Sequence, residues 1–263
     1  GYHAGGWDPS SPYSNVTDRI DYASDTATAL VKAILAYPGK HGPTTTGNTS
    51  YGYWTGGYGN TTASHRLDYS SDTTQMSIKG KRTTFSQNGA GVSSRANAMP
   101  LVNTTNPVPA TRTEAGTPTP VGTDYGYFAG GATPSKVSSI DRLDYNNDTP
   151  TMVVKGSLTQ TNEAFEGVSN ISYGYFAGGN GPGSYSPRTS VDRIDYGNDT
   201  ATASPKGPLA AGLAYGGGVG NNSYGYFASG ISSPGYPQNP VTTIQRIDYS
   251  SDTSTAVVKG PKS

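Results

Sequence analysis

Cysteine is missing from all 263 residues, which removes disulfide frameworks, thiolate zinc sites and thiol nucleophiles together and leaves the compartment open. No run of about 18 apolar residues reads as a membrane-crossing helix, and no charged-then-apolar leader reads as a signal peptide. Histidine is scarce: His3, His41 and His65 stand at unrelated positions, with no second His at metal-ligand spacing. Nor is there an excess of either charge. Eighteen Lys and Arg against 18 Asp and Glu leave no basic surplus to release counterions from a phosphate backbone, so nucleic acid is not an expected partner. Apolar residues make up only 32%, a proportion that approaches that of disordered chains.

What is present argues against disorder, because the 36 Gly and 20 Tyr are regularly placed. Tyr-Gly-Tyr-Phe-Ala-Gly-Gly stands at 125–131 and 173–179, with close variants at 51–57 and 224–230 and a shortened copy at 1–6. Each copy leads to an Arg-(Ile/Leu)-Asp-Tyr block: Arg19, Arg66, Arg142, Arg193 and Arg246, then Asp21, Asp68, Asp144, Asp195 and Asp248 two residues on, each followed by Tyr. An Asp-Thr pair comes next, Asp25-Thr26 through Asp252-Thr253, and six residues after each Thr stands Lys32, Lys79, Lys155, Lys206 or Lys259. Units start near 1, 51, 125, 173 and 224, a period of 48 to 51 residues broken by one copy of 74 that carries a Pro/Thr/Asn-rich insertion at 97–124.

A period near 50 belongs with propeller blades rather than helical or leucine-rich solenoids. The short aromatic and β-branched runs bounded by Gly, Asn and Asp read as strands. Residues 27–36 alone have some helical character, and register places them as the Lys-bearing strand of the first unit.

These residues resemble the kelch repeat: an aromatic strand ending in Gly-Gly, a strand ending in Asp-Tyr, a Thr-bearing turn and a Gly-Val strand at 91–92, 167–168 and 218–219. The Gly-Val strand is degraded between 38 and 50, and the Trp usual after the kelch Thr is absent. The resemblance covers essentially the whole chain and implies an all-β fold: one β-propeller of about five four-stranded kelch-like blades over 1–263. The wording of the repeat also resembles repeat proteins of phages that infect aquatic bacteria, which implies a virion or extracellular location. In kelch terms the chain opens on the second strand of a blade, so blade one lacks its innermost strand. An incomplete ring, a strand supplied by another segment, and a fragment of a longer polypeptide all account for this, and the fragment is preferred.

Two of every unit's basic residues and two of its acidic ones fall in repeat columns, so most of the charge is architectural. Residues two apart on a strand share a face, which puts each Arg beside the Asp two positions on. Those pairs are expected to be partly buried and hydrogen-bonded within or between blades, since an unpaired buried charge costs several kcal/mol (roughly 3–5). The other reading, a ring of five equivalent ligand sites, is the less economical one. Galactose oxidase shares the kelch architecture but needs a Cys bonded to Tyr. Sialidase boxes are absent, and no Gly-x-Ser-x-Gly elbow with a following helix occurs. No catalytic, cofactor-binding or metal-binding residue is nominated, and no enzyme is expected.

Once the repeat columns are removed, aromatic residues remain in the loops between the Gly pair and the Arg block: Trp7, Tyr13, Tyr58, Tyr185 and Tyr236. Variable aromatic loops on a fixed scaffold are where binding usually resides, and in kelch propellers these loops share one face. The rings suit stacking on sugars or contact with a protein surface. Alternatively, they pack on blade edges or against a neighbouring subunit. The insertion is expected to leave the opposite face. The resulting expectation is a noncatalytic structural and recognition module: a phage virion fibre or surface-decoration protein contacting a host surface or another virion protein, or else a bacterial extracellular adhesin or lectin-like propeller.

Overall fold

The computed structural model describes all residues except 7–13, 25, 38–41, 59–60, 95–124, 184–185, 233–238 and 262–263. The protein is an all-β, five-bladed propeller whose blades follow the repeat.

Blade one has three strands among the described residues, β1 (Tyr2–Ala4), β2 (Val16–Arg19) and β3 (Leu30–Ile34). Blade two comprises β4 (Thr44–Gly47), β5 (Tyr51–Thr55), β6 (Ala63–Asp68) and β7 (Ser77–Lys81). Blade three comprises β8 (Ala90–Ser93), β9 (Tyr125–Ala129), β12 (Ser139–Asp144) and β13 (Val153–Ser157), with a small hairpin of β10 (Ala132–Thr133) and β11 (Ser135–Lys136) inside one of its loops. Blade four comprises β14 (Glu166–Ser169), β15 (Tyr173–Ala177), β16 (Val191–Asp195) and β17 (Ser204–Pro205). Blade five comprises β18 (Gly217–Gly220), β19 (Tyr224–Ala228), β20 (Thr243–Asp248) and β21 (Val257–Pro261). All pairing within blades is antiparallel, and the innermost strands β4, β8, β14 and β18 are successive neighbours.

The linker expected to carry a degraded inner strand forms a regular one. Three threonines replace the Gly-Val pattern in β4, and Thr46 hydrogen-bonds Val92 O at 2.9 Å and the Tyr145 hydroxyl at 2.9 Å. β-branched threonine holds extended backbone as valine does, and its hydroxyl takes polar partners that valine would not. Blade one shows no innermost strand among the described residues, as the reading of the repeat anticipates. The 27–36 segment is extended around β3. The insertion at 97–124 lies outside the described residues.

The core lies between blades, not within one. Strand alternation sends Tyr127 toward blade four, where it stacks on Tyr196 at 5.1 Å between centroids, and sends Phe128 back toward blade two, into a cluster with Tyr53, Leu143 and Met152. The same stacking joins Tyr2 to Tyr69, Tyr53 to Tyr145 and Tyr175 to Tyr249. Fourteen of the 20 tyrosines belong to repeat columns, which is how a chain poor in aliphatic residues still fills its interfaces.

Candidate functional site

The repeated charges resolve into one device used four times. In blade three the Tyr127 hydroxyl and the Arg142 guanidinium donate to Asp199 Oδ2 at 3.0 and 2.8 Å, and Lys155 Nζ lies 3.2 Å from Oδ1. Tyr53, Arg66 and Lys79 hold Asp148 at 2.8, 2.7 and 3.4 Å. Tyr175, Arg193 and Lys206 hold Asp252 at 3.0, 2.7 and 3.4 Å. In blade one, Tyr2, Arg19 and Lys32 hold Asp72 at 2.9, 2.6 and 3.8 Å. Each triad comes from one blade and each carboxylate from the Asp-Thr turn of the next.

The Arg partner is therefore not the Asp two residues on, as strand geometry suggested. Asp68, Asp195 and Asp248 cap the short 3₁₀ turns that follow them, accepting from the N–H groups of Ser70, Gly197 and Ser250. Asp21 and Asp144 accept in the same way from Ala23 and Asn146 at 3.0 and 2.9 Å. A short side chain that can bond its own backbone two residues ahead does so, leaving the Arg free to cross the blade boundary. The Arg is also held from its own blade: Arg142 lies 3.9 Å from the Tyr125 ring centroid, Arg193 4.1 Å from Tyr173 and Arg246 4.2 Å from Tyr224.

These clamps set the electrostatics. Burial works to raise the Asp72 pKa, but the Tyr2 hydroxyl and Arg19 outweigh it and hold the carboxyl below its usual value. Burial, with the adjacent Asp carboxylates, raises the hydroxyls of Tyr53, Tyr127 and Tyr175 far above the ordinary phenol range. In blades two to five the residue just before the Arg completes the joint backward. His65 Nδ1 accepts from Ala36 N at 3.1 Å, Asp192 from Thr159 N at 2.9 Å, and the Gln245 carbonyl from Ala211 N at 2.9 Å. Asp141 is fully buried and pairs with the equally buried Arg82, which donates from Nε at 2.9 Å. His65 thus has a structural role, and no group of three or more His, Asp or Glu side chains suited to a metal occurs among the described residues.

Two concavities open on the face where the Gly-Gly loops emerge. Gly56 and Gly57, and Gly130 and Gly131, have φ of 68°, 91°, 55° and 97°. A Cβ on Gly56 would lie 2.2 Å from Ser86 O, so the strand can turn onto this face only with glycine there. Between blades two and three, Tyr58, Phe85, Gln87, Ala132, Thr133 and Pro134 line a cavity of about 360 Å³. The Tyr58 side is 48% exposed.

On the axis, the starts of β8, β14 and β18 surround a second cavity of about 380 Å³, lined mainly by glycine, alanine, Asn88, Tyr215 and Glu166. Backbone bonds form an arc around its mouth: Asn88 N to Gly42 O at 2.9 Å, Ala164 N to Asn88 O at 2.7 Å, and Tyr215 N to Ala164 O at 2.9 Å. All four residues adopt left-handed φ, from 55° to 64°, a conformation that stores strain in the three that are not glycine. Glu166 is the one charged side chain of this lining. Burial pushes its carboxyl up to about 8, with the Gly216 backbone N–H acting in the opposite direction.

Of the loop aromatics singled out in the sequence, the structure places Tyr58 in the first cavity; Trp7, Tyr13, Tyr185 and Tyr236 lie outside the described residues. Phe85 and Glu166 were not anticipated. Glu166 could have been found by alignment of the repeat, because it stands where Ala90 and Gly217 stand in the neighbouring blades. Phe85 has no counterpart signal, since the loop that brings it to Tyr58 follows no repeat column.

No protein-family model matches the sequence, and no curated protein matches it. Among solved structures, that of YjhT is similar, with a TM-score of 0.60 at 10% sequence identity over 84% of this chain. The chain spans 65% of the length of YjhT. A likeness at that identity shows the propeller fold alone.

Proposed function

We propose that this protein is a noncatalytic recognition propeller of kelch type that binds through its Gly-Gly loop face, with a glycan as the ligand class. The observation that carries this reading is the Tyr58 ring, 48% exposed beside Phe85 and Pro134 in the 360 Å³ cavity. An open aromatic flanked by Thr and Gln amide and hydroxyl groups matches a sugar ring, whose C–H face stacks and whose hydroxyls hydrogen-bond. The scaffold supports the same reading. At the four joints described, its Arg, Lys and Asp-Thr groups are spent on holding blade to blade, and Glu166 lines the axial cavity without a second acid or a base in that lining. A setting in a phage virion fibre or surface-decoration protein rests on the wording of the repeat.

Glycan-array binding of the wild type beside Tyr58→Ala and Tyr58→Phe tests the proposal. The expected outcome is binding that falls about tenfold in Tyr58→Ala, corresponding to about 1.4 kcal/mol, and is largely kept in Tyr58→Phe. Absence of glycan binding, or binding indifferent to Tyr58→Ala, would overturn it.

A further inference from the structure

The clamp is repeated five times in sequence but satisfied four times in the described structure. Blade five carries the whole triad, Tyr226, Arg246 and Lys259, yet among the described residues Arg246 makes no ion pair, and its contact is with the Tyr224 ring of its own blade. The surrounding surface is bare in the same direction. Val92 and Val168, which pack on the next blade, are 1% and 0% exposed, whereas Val219 at the equivalent position is 68% exposed. Tyr127 and Tyr175 are fully buried while Tyr226 is not.

The backbone shows the same vacancy. A Cβ on Gly156 or Gly207 would lie 1.8 or 2.0 Å from a carbonyl of the following blade's turn, but at Gly260 nothing stands within 4 Å. This is not the ordinary exposure of the rim, where the outermost strands leave Val153, Val154, Val257 and Val258 about equally open in blades three and five.

We infer that the leading face of blade five is a blade-to-blade interface that receives one further blade of this repeat type, its Asp-Thr carboxylate seated among Arg246, Lys259 and the Tyr226 hydroxyl. The occupant must combine four features: a carboxylate for two cations, a tyrosine ring to stack on Tyr226, a main-chain carbonyl to accept from Gly260, and an aliphatic cover for Val219. The trailing faces of blades three to five each present this combination, with Asp148, Asp199 and Asp252 giving both carboxylate and carbonyl and Tyr145, Tyr196 and Tyr249 the ring. Blade one does not supply it to blade five, because its own trailing face is open: Ile20 is 45% and Tyr22 81% exposed, where Leu67, Leu143, Ile194 and Ile247 are 1 to 5% exposed. One blade between the two open faces would satisfy both, giving its carboxylate to Arg246 and covering Ile20 and Tyr22 of blade one.

The test compares the chain with the same chain extended after Gly260 by a second copy of residues 208–261, which carries β18 to β21. In the unextended chain, Val219→Asp should leave the urea midpoint unchanged, Arg246→Ala should lower it by no more than loss of its Tyr224 contact implies, and both should stay monomeric by sedimentation, whereas Val168→Asp and Arg193→Ala should lower the midpoint clearly further. In the extended chain the midpoint should rise. Arg246→Ala, and Asp252→Asn made in the added copy, should then each lower the folding equilibrium constant at least tenfold, with the double variant no worse than the poorer single. Three results would overturn the inference. One is a Val219→Asp penalty in the unextended chain equal to that of Val168→Asp. The second is a dimer dissolved by Val219→Asp, which would make the occupant a second copy. The third is an added blade that proteases remove as fast in the parent extension as in its Arg246→Ala variant.

Discussion

A single aspartate distinguishes the two acidic columns. Asp148 is 4% exposed and faces the Tyr53, Arg66 and Lys79 groups of another blade, whereas Asp195 is exposed and caps its own turn. Removing Asp148 leaves two cations and a phenol without their acceptor, so Asp148→Ala should cost about 3 kcal/mol in urea unfolding. Asp195→Ala loses one cap and should cost about 1 kcal/mol or less. Glu166 gives a pH signature of opposite sign to an ordinary salt-bridged acid. Its folded pKa of about 8 lies above its reference value of 4.5, so the folded state holds the proton more tightly. Its contribution is fully present below about pH 4.5 and is lost as pH rises toward 8. Glu166→Gln should flatten stability across that window and raise it at pH 8 relative to wild type, as read from urea midpoints at pH 5 and pH 8. These residues were unequally legible. The columns themselves stood in the sequence, but which Asp met which Arg did not, because periodicity tells which positions recur and not which neighbouring blade each one faces.

At the scale of the element, the fourth strand is decided by glycine and the second by tyrosine. Gly156 lets its strand approach the Asp199–Ala201 turn closely enough for its N–H to bond Asp199 O at 2.8 Å. A Cβ there would stand 1.8 Å from Ala201 O, so Gly156→Ala should destabilise by about 3 kcal/mol, at the upper end of overpacking costs. Gly217, with nothing within 4 Å of its added Cβ, should accept alanine with no loss; paired thermal melts compare the two. The stacked tyrosines make the joints sensitive to alkali. Tyr69 is pushed up to about 12 by burial, with Tyr2 and Tyr22 adding to it, and Tyr53, Tyr127 and Tyr175 lie higher still. Because the folded values exceed the unfolded value near 10, stability from these groups is present below pH 10 and falls as pH rises beyond it. Ultraviolet titration should show these phenols ionising together with unfolding, not before it. The strands were legible from aromatic and β-branched runs and Gly turns. β4 was not, because its threonines matched no repeat word while serving the backbone as well as valine.

For the whole molecule, the zero net charge and sparse aliphatic content reflect the way the propeller holds itself together. Adjacent blades are joined by a stacked tyrosine pair, an Arg–Asp–Lys clamp and a Gly-to-carbonyl bond, each repeated at the four joints described or at most of them. Fold class and blade number were legible because a period near 50 with strand-type words has few physical solutions. The ligand face was only partly legible. The loops gave Tyr58, but its partner Phe85 and the axial Glu166 come together through closure of the ring, which brings residues from different units to one place.

The central claim is that the Arg column binds each blade to the next, and a double-mutant cycle on Arg142 and Asp199, measured by urea unfolding, tests it most directly. The structure places these groups 2.8 Å apart across a blade boundary and predicts a coupling of about 1.5 kcal/mol or more. A coupling indistinguishable from zero, or one that appears instead between Arg142 and Asp144, would contradict it.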